Sequence, residues 1–355
     1  MVNPALVDPA TVRATAAEAW IRGYPMLRNY RALYAQALDD ADPGYVGGFG
    51  VFRHQPRPPA PADPGGSAAP GSPLRADEPG EPPYSRAWLD LRAEPWVVSV
   101  PAEARDHVLP VHELDTVYAG FIGTRTTGPG SGDHLVAGPD WHGELPPGIR
   151  GVIRTATRLV GILGRTRLTG NTPAEVAGLA AVQERYRLRP LHAYAGTPAP
   201  APAPEPVWPV WREEVTDTVE FLAFLDFLLG FFPLDGPVPL PPAEVGLRGR
   251  LTDLGVDGRG EFEPAALPLE VRAEIGRGLA DGRARLVRAV AELADPAGLF
   301  GTREQIGADF LRQAVGAAVD LHGLPAEEAR QGRWEADGPA ADDGRLPPPP
   351  PLEPR

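Results

Sequence analysis

The chain lacks two residue types altogether. Its 355 residues include no cysteine, and all 34 basic residues are arginine, so lysine is absent as well. Without cysteine the protein forms neither disulfides nor thiolate metal sites, and cysteine usage says nothing about its compartment. Without lysine it cannot form a Schiff base through a side-chain amine. An arginine in a pocket is therefore weaker support for anion binding here than in a chain that also uses lysine.

Positive charge is scarce overall. The formal net charge is −13 at pH 7, so the average surface repels phosphate groups. We therefore expect no general affinity for nucleic acid and no attachment to an anionic membrane.

Long hydrophobic runs are missing too. One strongly apolar segment, residues 219–232, is too short to span a bilayer, contains Glu220 and Asp226, and ends at Pro233. It predicts a buried core helix. The first 20 residues have no basic segment followed by an apolar one, so we expect no secretory signal and a cytoplasmic location.

The middle third of the chain has the pattern of a β-sheet. Between Leu114 and Leu168, short apolar runs are cut by clusters of glycine, proline and aspartate, which is typical of antiparallel strands joined by tight turns. Further strands are predicted before it, at residues 87–91, 96–100 and 107–118. The predicted fold class is α+β, with an antiparallel β-sandwich-like core flanked by N-terminal and C-terminal helices.

Helices are predicted on both sides of this core. Asp8 and Pro9 begin the first helix, Gly23-Tyr24-Pro25 should kink or break it, and a second should cover residues 26–38. Thr172-Pro173-Ala174-Glu175 is a capping box, which predicts a helix from Pro173 to about Tyr186. Further helices are predicted at residues 214–232, 269–293 and 303–321.

Composition predicts the domain limits. A β-rich core domain with covering helices should span residues 10–235. A disordered loop at about 55–83 should interrupt it, because proline, glycine, alanine and acidic residues leave little to bury there. A helical extension should follow at 240–330, and a disordered proline-rich tail at 331–355.

A glycine-rich segment, residues 128–133, resembles a phosphate-binding loop only superficially. It lacks the Gly-Lys-Ser/Thr ending, and strand-like residues 135–137 follow it where a phosphate site needs a helix N-terminus. We interpret it as a hairpin turn.

Histidines raise the question of a divalent metal. His107 and His112 are five positions apart, which places them on opposite faces of an ideal strand, so they converge only at a bulge. Surface or hydrogen-bonded histidines are favoured, and no metal or other cofactor is predicted. The sequence leaves open a metal bound through His107, His112, His134 or His142.

Arginines in or beside the predicted strands are candidate ligands for an anion. Two or three converging guanidinium groups would hold a carboxylate, sulfate or phosphate ester by bidentate hydrogen bonds. Composition favours instead ion pairs at sheet edges, with Asp115 and Asp133 as partners. The arginines concerned are Arg125, Arg154, Arg158 and Arg165.

Serine hydrolase chemistry has no motif to support it. Ser85, Ser99 and Ser131 are the candidate nucleophiles, but none lies in a Gly-x-Ser-x-Gly motif and none has a histidine in a recognisable local arrangement.

A set of short motifs in a fixed order resembles the bacterial family known as domain of unknown function 1254. The similarity covers roughly residues 15–195, and the ordered set is specific although each motif alone is weak. The motifs are AWIRGYP at 19–25, YSRAWLDL at 84–91, VSVP at 98–101, GTRTTG at 123–128, GPDW at 138–141, VIR at 152–154, GRT at 164–166 and YRLRPL at 186–191.

The resemblance implies two departures from the family pattern. Members typically carry a second, C-terminal β-rich domain, known as domain of unknown function 1214, and this chain is expected to stop where that module would begin, at about Glu328. Members also commonly show an NNDTLY-like segment before the Ser-Ala-Trp-Leu-Asp-Leu strand. Here that segment reads ADEPGEPPY, which keeps Tyr84 and the acid Glu81.

Two hypotheses of function follow. The favoured one is a non-catalytic protein of this family that binds a small anionic molecule and is degenerate or dependent on a partner, either a second copy or a separate β-domain. The alternative is a hydrolase-like enzyme acting on a small anionic or ester substrate between the sheet and the helices. Glu81 or Asp115 would then move a proton. The predicted substrate-binding residues are Tyr84, Trp88, Arg125, Arg154 and Arg165.

Overall fold

The computed structural model describes residues 8–55, 83–168, 172–296 and 298–329. Glu81, the tail at 331–355 and most of the loop predicted at 55–83 lie outside the described residues. The strands are β1 (Arg53–Gln55), β2 (Tyr84–Asp90), β3 (Trp96–Val100), β4 (His107–Glu113), β5 (Tyr118–Gly123), β6 (Gly132–Ala137), β7 (Ile149–Arg154), β8 (Leu159–Thr166) and β9 (Arg187–Pro190).

Helices lie before, between and after the strands of the described chain. They are α1 (Pro9–Leu33), α2 (Pro173–Gln183), α3 (Leu191–Ala195), α4 (Glu220–Leu229), α5 (Pro242–Asp253), α6 (Leu269–Ala291), α7 (Arg303–Ile306), α8 (Phe310–Val319) and α9 (Ala326–Ala329). A π-helical turn continues α1 over Tyr34–Leu38, and 3₁₀ turns lie at Glu213–Asp217 and Pro264–Ala266.

The strands form two sheets. Sheet A has five strands in the order β1-β2-β8-β4-β5, and every neighbouring pair in it is antiparallel. Sheet B has the order β7-β6-β3-β9. Its β6 and β7 are parallel, while its other pairs are antiparallel. The α+β class with helices at both ends is confirmed, and the parallel pair is the one exception to the antiparallel expectation within the described strands.

The sheets pack face to face as a sandwich. Leu89 of β2 and Leu109 of β4 in sheet A share one buried cluster with Val98 of β3 and Val136 of β6 in sheet B. Because side chains alternate along a strand, the residues between these positions project from the outer face of sheet A. That outer face is the one covered by helices.

A second, larger core joins the outer face of sheet A to the helices. Trp88 and Leu159 of the sheet belong to the same buried cluster as residues of α1, α4, α5, α6 and α8. Helix α6 approaches α1 closely, because a Cβ at Gly278 would lie 2.3 Å from the carbonyl oxygen of Arg13. The N-terminal helix thus shares a core with helices of the predicted extension. The boundary between residues 10–235 and 240–330 stays a prediction.

A kink or a break was expected at Gly23-Tyr24-Pro25, and the first helix corrects the expectation of a break; the kink stays a prediction. Helix α1 runs without interruption over Pro9–Leu33, with Asp8 as its N-cap and Pro25 inside it. All three residues of the expected break are buried. Packing against the other helices therefore outweighs the low intrinsic helix propensity of glycine and proline.

The glycine-rich segment at 128–133 is also corrected in one respect. It connects β5 of sheet A to β6 of sheet B, so it is a crossing between sheets and does not close a hairpin. Strand β6 follows it, as expected, and Gly128 has φ +83°, which favours glycine. Across the described ranges, no helix has both the length and the apolar character needed to cross a bilayer.

Candidate functional site

A row of three residues marks the centre of sheet A's outer face. Trp88 and His112 each lie directly opposite Gly161, on the strands flanking β8. A Cβ at Gly161 would lie 2.2 Å from His112 Nε2, so only glycine leaves room for the imidazole above this strand. The ring of His112 meets Trp88 edge-on, with centroids 5.2 Å apart and an interplanar angle of 90°.

A second histidine covers His112 from the segment after α8. The ring centroids of His112 and His322 are 4.2 Å apart. Asn29 of α1 joins the pair, because its Oδ1 lies 3.0 Å from His322 Nε2 while its Nδ2 donates to the carbonyl oxygen of Glu113 at 2.9 Å. Since the Asn29 oxygen only accepts, His322 carries its proton on Nε2.

Both imidazoles are held uncharged. Burial lowers the pKa of His112 to about 3, and the nearby Arg165 contributes in the same direction. Burial lowers the pKa of His322 well below its ordinary value, with further lowering by His112, Arg165, Arg86 and Arg28. Neutral imidazoles beside a positively charged group can take part in hydrogen bonds without adding charge.

Arg165 of β8 lies beside this pair and is 6% exposed. Its Nη2 donates to the carbonyl oxygen of His322 at 2.9 Å, and its Cζ lies 5.5 Å from the centroid of the Tyr84 ring. Burial lowers the pKa of Arg165, but Coulombic interaction with Tyr84, Tyr118 and Asp320 outweighs it, and the net shift is upward. The guanidinium is therefore charged at neutral pH.

The pairing of Arg165 differs from that of other buried arginines. Arg22 and Arg248, which are 2% and 7% exposed, both form ion pairs with Glu244. Arg165 has no ion pair within the described ranges, and its Nη1 has no hydrogen-bond partner. A buried cation with an unused donor is costly in free energy, since both the charge and the N–H group have lost water.

Two further guanidinium groups contribute positive charge near the same place. The Cζ of Arg86 lies 5.2 Å from the Tyr84 ring centroid, and Arg28 of α1 is close enough to His322 to lower its pKa. Neither Arg28 nor Arg86 forms an ion pair in the described part of the chain. Asp320 is the acid that interacts with Arg165, and burial raises the pKa of its carboxyl. The cluster of Arg28, Arg86 and Arg165 therefore carries excess positive charge.

The structure brings together three of the five predicted substrate-binding residues. Tyr84, Trp88 and Arg165 lie on this face of sheet A. Arg125 instead pairs with Asp106 at 2.9 Å and with Glu328 at 3.4 Å. Arg154 lies on β7 of sheet B, with its guanidinium 5.2 Å from the Trp141 ring centroid.

Asp115, a predicted catalytic acid, lies in a separate network of charges. It is fully buried and pairs with Arg22 at 2.9 Å and with Arg303 at 3.0 Å. Burial by itself raises the pKa of Asp115, but Arg303 and Arg22 outweigh it and the pKa falls to about 2. A carboxylate this weakly basic is suited to pairing, while proton transfer near neutral pH favours a group with a higher pKa.

The network that contains Asp115 has as many guanidinium groups as carboxylates. Three guanidinium groups surround the Phe232 ring at 5.4, 5.3 and 5.1 Å from its centroid. Three carboxylates pair with them, so the network contains equal numbers of each sign and ties helices to sheet A. Its members are Arg22, Glu113, Asp115, Glu244, Arg248 and Arg303.

The other histidines considered as metal ligands do not join His112 in a common site. A bulge does interrupt the β4–β5 pairing between Val111 and His112, but His107 contacts Thr124 and the carbonyl oxygen of Arg105. His134 is buried on β6, and His142 is exposed. Within the described ranges, no group of three or more histidine, aspartate or glutamate residues is arranged to hold a metal ion.

A serine–histidine pair lies on the inner face of sheet A. Ser85 Oγ is 2.9 Å from Nδ1 of His54, its cross-strand neighbour on β1. Burial lowers the pKa of His54 to about 4, with a smaller contribution from Arg187. Of the other serines considered as nucleophiles, Ser99 hydrogen-bonds Asp133 and Ser131 is exposed.

The sequence reasoning missed Asn29, His322 and the clustering of Arg28 and Arg86. One signal was available, because Asn29 is a polar residue on the apolar face of a helix that also presents Met26 and Leu33. Another was the alternation that places Arg86 on the same face of β2 as Tyr84 and Trp88. His322 had no such signal, since it lies in a loop.

Comparison with known proteins finds a family model that matches part of the chain and a solved structure with a similar fold. The family described as "Protein of unknown function (DUF1254)" matches residues 80–190, less than a third of the chain. The crystal structure of the VPA0106 protein from Vibrio parahaemolyticus is similar, with a TM-score of 0.66 and 22% sequence identity. The match covers 88% of this chain and 68% of that one, and at this identity it supports the fold alone. No curated protein matches the chain.

Proposed function

We propose that the protein binds a small anion between sheet A and the helices, at the cluster of Arg28, Arg86 and Arg165. The observation that supports this most directly is the buried Arg165, which has neither an ion pair in the described structure nor a partner for Nη1. An anion would supply both the missing charge and the missing acceptor. A carboxylate, sulfate or phosphate ester offers oxygen atoms suited to the planar guanidinium.

The surroundings of Arg165 suit a ligand of this charge. Its neighbours His112 and His322 are neutral, so they neither repel an anion nor compete for it. Coulombic attraction is stronger in a partly buried site than in water, because water no longer screens it fully. Tyr84 and Trp88 add aromatic walls to the same face of the sheet.

The direct test is binding of inorganic sulfate, phosphate and acetate, measured by isothermal titration calorimetry at constant ionic strength. Replacing Arg165 by methionine keeps much of the side-chain volume and removes the charge. We expect Arg165→Met to weaken binding at least about tenfold, equivalent to about 1.4 kcal/mol. Arg154→Met is the matched control, because Arg154 is exposed on sheet B, and we expect it to bind as the natural protein does.

Two results would contradict the proposal. One is a natural protein that binds none of the three anions with a Kd below about 10 mM. The other is equal binding by Arg165→Met and Arg154→Met. If Arg165→Met does not fold, Arg86→Met replaces it, because Arg86 is less buried than Arg165.

The pair of Ser85 and His54 supports a second candidate function, hydrolysis of a small ester. Their 2.9 Å contact is the geometry of a nucleophile beside a base. Two observations place this function second. The lowered pKa of His54 makes it a weak base near neutral pH, and Ser85 is only 1% exposed. Turnover of p-nitrophenyl acetate that disappears in Ser85→Ala would establish it, and equal turnover by both proteins would exclude Ser85 as the nucleophile.

A further inference from the structure

A cavity of about 340 Å³ lies between β1 and α2, on the inner side of sheet A. This volume lies in the range of small-molecule sites, roughly 300–1,000 Å³. It also exceeds the roughly 150 Å³ that suffices for benzene in a protein interior. The lining residues are Val46, Phe52, Arg53, His54, Ala180, Gln183 and Glu184.

Gln183 lines this cavity and has a buried hydrogen-bond acceptor that is unused within the described residues. The residue is fully buried, and its Nε2 donates to the carbonyl oxygen of Tyr84 at 3.2 Å. Because a carbonyl oxygen only accepts, this contact decides which end of the amide is nitrogen. The other end, Oε1, is buried and has no hydrogen-bond partner among the described residues. A buried acceptor of this kind calls for a donor from a ligand or from water.

Among the described lining residues, the less exposed part of the wall is aromatic and uncharged. The rings of Phe52 and His54 stack with centroids 5.4 Å apart and an interplanar angle of 28°. His54 is neutral at physiological pH because burial, with a contribution from Arg187, lowers its pKa. Charged groups occur at the exposed rim, where Arg53 and Glu184 have opposite signs. Nη1 of Arg53 already donates to the carbonyl oxygens of Pro43 and Tyr45.

We infer that this cavity is a second binding site, for a small neutral aromatic molecule whose hydroxyl or N–H group donates to Gln183 Oε1. The aromatic ring of such a ligand stacks on the wall formed by Phe52 and His54. The donor group of the ligand hydrogen-bonds Gln183 Oε1. A neutral ligand suits the uncharged wall formed by Phe52 and His54. This site is separate from the cluster at Arg165, which lies on the other face of sheet A.

Phenol and anisole are the probes that test the inference. They have the same ring, but anisole carries a methyl group in place of the hydroxyl proton and cannot donate. Chemical-shift titration of the full chain with each compound gives the two affinities. We expect phenol to bind at least about tenfold more tightly than anisole, because a site with a buried acceptor discriminates against ligands that leave it unpaired. Equal affinity, or no binding of phenol, would overturn the inference.

Variants distinguish this site from general hydrophobic binding. Gln183→Met removes the acceptor, and we expect it to abolish the preference for phenol. Gln313→Met is the matched control. Gln313 of α8 is 5% exposed, its buried Oε1 also has no partner among the described residues, and it is outside the cavity lining. If Gln183→Met does not fold, Ala180→Phe fills the cavity from its half-exposed wall. Phenol binding that survives Ala180→Phe would also overturn the inference.

Discussion

The imidazole rings of His112 and His322 pack with centroids 4.2 Å apart, one on a central strand of sheet A and the other on the loop after α8. Asn29 of the first helix accepts a hydrogen bond from His322. Three distant parts of the chain therefore meet at one place on the sheet. The neutral state of both rings is a condition for this packing, because two imidazolium ions beside Arg165 would repel each other.

Acid should destabilise the protein below the ordinary pKa of histidine. The pKa of His112 is lowered from 6.5 to about 3 by folding, so the unfolded chain binds a proton more readily than the folded one. The stabilisation is complete above pH 6.5 and is lost as the pH falls from 6.5 toward about 3. Each such group adds a slope of up to about 1.4 kcal/mol per pH unit. Urea unfolding at a series of pH values measures it.

The variant His112→Gln should flatten this pH dependence, because it removes one titrating group. His142→Gln is the control, since His142 is exposed. If both variants keep the slope of the natural protein, His112 is not neutral in the fold.

The variant Gly161→Ala should disturb the His112 packing directly. The added Cβ would lie 2.2 Å from His112 Nε2 and 2.3 Å from its Cε1. The imidazole must then move away from Trp88, and we expect a loss of about 1–3 kcal/mol in the free energy of unfolding. Gly249→Ala in α5 is the control. No atom of the described residues outside its own helix turn lies within 4 Å of its new Cβ, so it should leave stability unchanged or raise it by up to about 1 kcal/mol. Equal effects would contradict the close contact.

Removing Arg303 should be far more damaging than removing a surface arginine. Arg303→Met leaves the buried Glu113 without its cation and deprives Asp115 of one partner. Breaking a buried network in this way costs about 3–5 kcal/mol. Arg283→Met, which breaks a half-exposed pair with Asp217, should cost no more than about 1 kcal/mol. Urea unfolding of both variants compares them, and similar losses would show that the network contributes no more than a surface pair.

Arg86 should contribute to anion binding through its charge. It is half-exposed and lies 5.2 Å from the ring of Tyr84, so we expect Arg86→Met to weaken sulfate binding by roughly twofold to tenfold. The difference from the natural protein should shrink as sodium chloride is added, because salt screens exposed charges. Calorimetric titration at two salt concentrations measures this. A difference that salt does not change would indicate that Arg86 acts by packing.

Local sequence patterns correctly predicted where α1 and α2 begin, because the capping residues are visible in the sequence. The capping box at Thr172 begins α2 as expected, and Asp8 with Pro9 begins α1. Both rely on hydrogen bonds between residues three positions apart, which the sequence shows directly. The expected break at Gly23-Tyr24-Pro25 was wrong because contacts with distant helices decide that segment.

The sequence by itself determined the α+β class, the strand-rich middle, the presence of Trp88 on a strand and that of Arg165 in or beside one. It also determined that any anion site built on a long cationic side chain would use arginine, since lysine is absent. Only the tertiary structure decided which arginines meet. Arg125 and Arg165 look alike in sequence, yet one lies beside Asp106 and Glu328 while the other is buried without an ion pair in the described part of the chain. The physical reason is that pairing of a charge depends on residues brought close by the order of strands and the docking of helices, and local periodicity contains neither.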